Sequence, residues 1–291
     1  MPIQINFAKL ILLIRKHYLL IIFVFTSLLL FSCSIERKIA KQYIELNKPG
    51  SMLILIPDYV YKTSLKQFEI ENADSLNEWS LDSTLFANSL YIQNISDSII
   101  LKKYLDNLII GLKQYGFKIF TESQTDTFML ISPPSFIVNL SQIELEEYIM
   151  PVRDEEFFND GDLHYMEFDL NAVNINSWFE ITELNTQDQE SKILFASDYT
   201  FDDIEGSFRQ MPFTWEVKYK YTIDTLTVDD IYDFAKFLGK EYAAYIYDYI
   251  MNEYIKKHLP ENVLPEYYFH YNRQRQSLLP VPEDKFIEMK P

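Results

Sequence analysis

The sequence predicts an α+β fold in which a largely antiparallel sheet packs with a few helices, the longest near the C-terminus. Three observations carry this. Apolar residues alternate with polar ones over long stretches, as in Phe213, Trp215, Val217, Tyr219, Tyr221 and Ile223, which means one buried and one wet face and hence antiparallel pairing. Three segments carry a helical stripe instead, and the helices are few against the strands. With 16% aromatic residues and only 6 glycines in 291, the chain is far from disordered or fibrous composition.

Ile35 to Leu46 sets Ile35, Ile39, Tyr43 and Leu46 at helical spacing before Pro49 and Gly50, an amphipathic helix. Met52 to Ile56 is an unbroken apolar run closed by Pro57, which suits a buried strand. From Tyr61 to Ile95 the pattern is weak and polar, so loop is expected, with one short element near Thr84 to Ile92. Ser96 and Asp97 can cap a helix whose stripe is Ile100, Tyr104, Leu108, Gly111, Leu112 and Tyr115, and Gly116 stops it.

Phe117 to Thr121 follows as a strand. Phe136, Val138 and Leu140 alternate in one phase and Ile143 and Leu145 in the other, as a bulge near Ser141 would produce. Met166 to Ile181 shows a similar slip, and Ile193 to Ala196 continues the series. Thr227 with Asp230 three residues on begins a helix of about Val228 to Lys257, striped by Ile231, Phe234, Leu238, Tyr242, Tyr245 and Tyr249. That stripe is expected to pack across the sheet face bearing Trp215, Val217 and Tyr219, leaving Tyr232 and Tyr247 outside the contact. By size and punctuation the divisions are 1–32, 33–50, one α+β domain over 51–265 and a Pro-rich tail over 266–291.

The first 33 residues carry an address. Lys9, Arg15 and Lys16 stand without an acid before an apolar run of 14 residues, Tyr18 to Phe31, whereas a membrane-spanning helix needs roughly 20. Extending the run back to Leu10 would place Arg15 and Lys16 in lipid, at about 2.5 to 3.5 kcal/mol for each charge. Basic region, short apolar region and small residue are the order of a secretory signal. Leu30, Phe31, Ser32 and Cys33 then resemble the lipobox of bacterial lipoproteins, with Phe31 bulkier than the usual occupant. That resemblance implies a diacylglyceryl thioether on Cys33, removal of residues 1–32 and further acylation (palmitate) of the new amino terminus. Cys33 is the one cysteine of the chain, so no intramolecular disulfide is available.

Removing residues 1–32 from 291 leaves 259, and the loss of three cations and no acid takes the net charge from −17 to −20. A polyanion gains nothing from counterion release on nucleic acid and is repelled by anionic head groups. Nucleic acid and a polybasic membrane patch are therefore not expected partners. The sequence shows no phosphate-cradling glycine loop, nucleophile elbow, metalloprotease helix or paired CxxC. His164, His258 and His270 are not spaced as ligands, and Asn159, Asp160 and Asp162 about Gly161 read as an acidic turn, lacking the twelve-residue calcium spacing. No cofactor or metal is expected. Glu144, Glu146 and Glu147, or Asp154, Glu155 and Glu156, could supply the paired carboxylates of a glycosidase, though 43 acidic residues make such clusters common. Tyr267, Tyr268, Tyr271, Arg273 and Arg275 are the most unusual local composition, and Tyr and Arg are interface anchors.

From Met52 through the helix ending at Gly116 to Leu145 the chain loosely resembles the small α/β domain of periplasmic Tol-system proteins and cell-wall synthase activator lipoproteins. The whole resembles in style the envelope lipoproteins of Bacteroidetes. These likenesses imply an envelope lipoprotein, lipid-anchored with Ser34 suiting the outer membrane and facing the periplasm, that serves as an accessory or binding module for an envelope protein partner. The alternative is a carboxylate-dependent hydrolase of envelope glycan.

Overall fold

A computed structural model describes residues 34–46, 49–66, 77–158, 161–184, 191–282 and 284–289. The expected signal segment, Cys33, Asn159 and Asp160 lie outside the described residues. The chain forms two compact units, Met1–Asn47 with Ile250–Glu283 and Lys48–Tyr249 with Asp284–Pro291. The fold is α+β with mostly antiparallel pairing and a long helix near the C-terminus.

In the smaller unit, helix α1 (Ile35–Leu46) falls where its spacing places it. Its stripe buries only in part: Ile39 is covered, whereas Ile35 and Leu46 stay exposed. The Tyr43 ring lies 5.1 Å from Tyr254, the Arg37 guanidinium donates to the Leu278 carbonyl, and the Glu36 carboxylate accepts from the Glu266 N–H. Asn252 exchanges two hydrogen bonds with the Phe269 backbone, at 2.8 and 2.9 Å.

The larger unit contains strands β1 (Ser51–Leu55) and β2 (Tyr61–Ser64), helices α2 (Glu78–Ala87) and α3 (Asp97–Gln114), strand β3 (Lys118–Thr121) and the short helix α4 (Thr125–Phe128). Then come β4 (Ser135–Phe157), β5 (Leu163–Leu184), β6 (Ser191–Phe201), β7 (Asp203–Gln210) and β8 (Val217–Asp224). Helix α5 (Val228–His258) belongs to this unit through Tyr249. Strands β9 (Tyr268–Asn272) and β10 (Ser277–Val281) lie in the smaller unit, and β11 (Ile287–Met289) in the larger.

The main sheet runs β11-β6-β5-β4-β1-β3, with β2 also on β4. The β4–β5–β6 centre and β11 are antiparallel, whereas β1 lies parallel to both β3 and β4. The apolar run of β1 is what parallel strands covered on both faces require, and Met52, Leu53 and Ile54 are all buried. The β4–β5 register shifts between Leu140 and Gln142, where the apolar phase slips. The slip in β5 has another cause: its ladder with β4 is unbroken there, and Leu170, Ala172, Val173 and Ile175 bury both faces.

Helix α3 ends as its sequence prescribes, with Gly116 at φ +95° and the Phe117 N–H returning to the Leu112 carbonyl at 3.2 Å. Its start differs from expectation. Ser96 makes no side-chain cap, its hydroxyl pairing with Ser98, while Asp97 turns to the Val60 N–H and the Lys62 ammonium. Helix α5 does start on the reciprocal Thr227–Asp230 box.

Two expectations are corrected. Glu78–Ala87 is helical, capped by Asn77, although the sequence there reads as loop: its apolar residues form no stripe, and Trp79 is left exposed. Helix α5 does not pack on Trp215, Val217 and Tyr219. It lies on the main sheet and on α3, with Tyr242 edge-on to Phe179 and bonded to Asp198 at 2.7 Å, and with the Tyr247 ring stacked on Tyr115 at 4.5 Å. Gly111 faces Ala243 and Gly239 faces the Tyr104 backbone so closely that neither position has room for a Cβ. Contact on two sides buries Tyr232 and Tyr247 as well as Ile231, Leu238 and Tyr242, leaving Phe234 half-buried.

Candidate functional site

The buried polar groups of the larger unit converge on Glu147. It is 0% exposed and its partner Lys66 is 2%. Burying such a pair is costly unless its remaining lone pairs and protons find partners, and here each carboxylate oxygen takes two donors and the ammonium two acceptors. Oε1 accepts from the Lys66 ammonium at 2.9 Å and the Leu90 N–H at 2.8 Å. Oε2 accepts from the Tyr91 and Ile92 N–H groups at 2.9 and 3.2 Å. Lys66 also donates to Asn171 Oδ1 at 2.9 Å. Asn171 gives two hydrogen bonds to Asp202, which further accepts from the Leu226 N–H and the Tyr91 hydroxyl. Burial, with Asp202 and Glu147 nearby, pushes the Tyr91 phenol far up. Each group serves another in pinning the 89–92 turn, β4, β5 and the lead into α5, so this network is scaffold.

Four of the other carboxylates suggested for hydrolysis are also engaged. Glu144 accepts from Thr63, Glu146 from Asn174 and Asp154 from Tyr219, while Glu155 pairs with Arg153. Strand alternation puts Glu144 and Glu146 on the face opposite Glu147. Among the described residues no three His, Cys, Asp or Glu stand together as a metal site.

What remains for binding is an arm. Beyond the stretch of β5 paired with β6, which ends at Ala172, β4 and β5 continue as a ribbon from Tyr148 to Phe157 and Leu163 to Asn171. The β7–β8 hairpin, a separate two-stranded sheet, rests on one face of that ribbon. Phe208 meets Phe158 and His164, and Phe168 meets Tyr219 and Tyr221, at centroid distances of 4.9 to 6.5 Å. The Tyr219 hydroxyl donates to Asp154 at 2.7 Å; desolvation and that carboxylate push its pKa up to about 12. On the ribbon's other face Arg153 stacks over Tyr165 at 4.2 Å and reaches Glu167. At the tips Phe213 is 96% exposed and Trp215 and Phe157 each 72%, in a region where the sequence places Trp215 in the core.

The expected partner residues lie elsewhere, on the β9–β10 hairpin of the smaller unit. Tyr267 and Tyr271 share one strand parity and Tyr268 the other. Tyr267 is exposed, Tyr268 and Tyr271 are half-buried, and Arg273 and Arg275 stand exposed in the turn. The five residues therefore do not form one face. No protein-family model matches the chain, and no curated protein does. Among solved structures it is similar to a neuraminyllactose-binding hemagglutinin homolog from Helicobacter pylori. The identity is 12%, over 71% of this chain and 91% of that one, with a TM-score of 0.27. A superposition at that level carries no function from one chain to the other.

The exposed arm has a sequence signal that can be recognised in retrospect. Met211, Pro212, Phe213, Thr214 and Trp215 end one alternating strand with aromatic residues beside a proline, which is turn chemistry rather than strand interior.

Proposed function

We propose that this chain is an envelope lipoprotein, anchored through lipid on Cys33, that works as a binding module through the arm of its larger unit. The observation that carries the binding reading is that arm: a ribbon and hairpin that contribute little to the core yet hold Phe157, Phe213 and Trp215 in solvent. Exposed aromatic side chains on a shaped element mark contact surfaces. The address is supported by the lipobox-like Leu30 to Cys33 and by the chain's one cysteine standing at the cut. Among the described residues no helix is long and apolar enough to cross a membrane. Several acyl chains at about 0.8 kcal/mol per buried CH₂ would hold the protein stably on one.

Metabolic labelling with a radioactive fatty acid tests the anchor. The wild type should take up label and Cys33→Ser should not; undiminished label in the variant overturns the lipoprotein reading. Co-purification of the membrane-anchored protein, compared with a Phe157→Ser, Phe213→Ser, Trp215→Ser variant, tests the arm. An unchanged set of associated molecules overturns its role.

A further inference from the structure

We propose that the β7–β8 hairpin docks on a phospholipid surface, its aromatic tip entering the head-group layer while the cations of its outer face meet the lipid phosphates. The inference rests on the reading of the arm as the binding surface, and not on Cys33.

Alternation gives the hairpin two unlike faces. Phe208, Tyr219 and Tyr221 face the ribbon. The opposite face carries Arg209, Lys218 and Lys220, all exposed. Register sets Arg209 directly across from Lys218, and Ser207 across from Lys220. Like charges in directly opposed positions destabilise a hairpin, and three cations on one short face are unusual in a chain with 43 acidic and 26 basic residues. Of the nearby acids, Glu216 bridges to Lys218 at 3.3 Å, Asp154 is bonded to Tyr219 and Glu155 to Arg153. Glu205, Asp203 and Asp224 share this outer face but stand at its far end from the tip, so the cations are gathered in the half of the hairpin next to the tip.

The tip itself has no charge from Met211 to Trp215. Its backbone is largely satisfied from within. The Met211 N–H donates to the Glu216 carbonyl at 2.9 Å and the Trp215 N–H to the Met211 carbonyl at 3.0 Å. The Glu216 N–H reaches the Thr214 hydroxyl, the Gln210 amide reaches the Trp215 carbonyl, and Pro212 has no N–H. This turn places Trp215 at φ +60°, a conformation rare for a bulky side chain and found where surrounding structure imposes it. Water thins out toward the acyl boundary, so a tip that reaches below the phosphates is favoured by meeting part of its backbone hydrogen bonding from within. Trp is the side chain that settles at head-group depth. Apolar tip first and cations behind is also the order in which a bilayer presents its acyl boundary and its phosphates.

The test uses the chain from Ser34 onward, which contains every described residue. Vesicles of phosphatidylethanolamine with phosphatidylglycerol, and of phosphatidylcholine alone, are the probes, read by co-flotation and by quenching of tryptophan fluorescence with brominated lipid. The wild type should float with both and be quenched. Phe213→Ser with Trp215→Ser should weaken partitioning at least about ten-fold on both, since withdrawing one aromatic ring is worth that much. Arg209→Gln with Lys218→Gln and Lys220→Gln should weaken it only where phosphatidylglycerol is present. Trp79→Phe should leave the quenching in place. No flotation of the wild type on either vesicle, or undiminished binding of the tip variant, overturns the lipid assignment. A photo-crosslinker at position 213 that marks a protein while the vesicles stay unbound also overturns it, and leaves the arm standing as a protein-binding surface.

Discussion

Glu147→Gln should destabilise the larger unit out of proportion to the single heavy atom it replaces. The carboxylate accepts from the Lys66 ammonium and the Leu90 N–H on one oxygen and from the Tyr91 and Ile92 N–H groups on the other. A glutamine keeps the shape but replaces one acceptor by an NH₂ donor. In one orientation the amide faces Lys66 and Leu90; in the other it faces Tyr91 and Ile92. Either way two donors lose their acceptor in a site with no water-exposed surface on Glu147. Each buried unsatisfied donor costs about 1 to 3 kcal/mol, more for the ammonium, and breaking a buried ion pair costs about 3 to 5 kcal/mol. Because these describe the same loss from two sides, the expected value is about 3 to 5 kcal/mol, a large part of a typical 5 to 15 kcal/mol stability. Urea unfolding of the chain from Ser34 onward, followed by circular dichroism, measures it. Glu144→Gln and Glu146→Gln, half-buried on the other face with one side-chain hydrogen bond each, are the internal controls and should cost about 1 kcal/mol or less. A Glu147→Gln midpoint no lower than those controls would refute the claim that the network pins the fold.

Leu238→Ala should cost about 2 to 5 kcal/mol and half-buried Phe234→Ala less than a full core truncation; Tyr232→Ala and Tyr247→Ala should also register in thermal unfolding, because both side chains are buried. Gly239→Ala should destabilise by about 1 to 3 kcal/mol through overpacking against Tyr104, although alanine is the better helix former, and a raised melting temperature would refute that close approach. For alkaline pH the sign follows from raised phenols. Tyr219 and Tyr245 move from 10.0 to about 12, so the folded state holds their protons more tightly. The stability they contribute is complete below pH 10 and is lost as pH rises through about 12. Tyrosinate absorbance should show a delayed fraction in the native chain, reduced in Tyr219→Phe and absent in denaturant. Phe213→Ser and Trp215→Ser should leave the melting temperature within about 0.5 kcal/mol equivalent of wild type, as exposed positions do.

Where local signals agreed with packing, the sequence was sufficient. The apolar run at β1, the Gly116 stop, the Thr227–Asp230 box and the phase slip at Ser141 each have one physical cause that acts within a few residues. Helix α2 was hidden because its apolar residues lie all around the axis, so the periodic signal is missing while the Asn77 cap alone starts it. The Glu147 network was also hidden. It joins residues 66, 90 to 92, 147, 171 and 202, and nothing in the spacing of an acidic triplet on β4 distinguishes the one carboxylate that turns inward from its two neighbours. The unusual composition of Tyr267, Tyr268, Tyr271, Arg273 and Arg275 was legible, but their exposure and their division between hairpin faces and turn depend on register.

The most instructive difference is at β8. Its alternation is the cleanest in the chain, and the rule that alternation means one buried face holds for Tyr219, which packs on Phe168 and Phe208. The inference fails one step later, in equating a covered face with the core. A two-stranded hairpin is marginal in water and needs a partner surface. Here the β4–β5 ribbon supplies it through rings and the Tyr219–Asp154 bond, without help from helix α5. The same alternation that ordinarily welds a strand to the centre of a domain can therefore build an outlying element. What separates the two cases in the sequence is the turn that leads into the strand: a core strand is flanked by polar turn residues, whereas this one is entered from Met211, Pro212, Phe213 and Trp215, apolar residues that stand exposed.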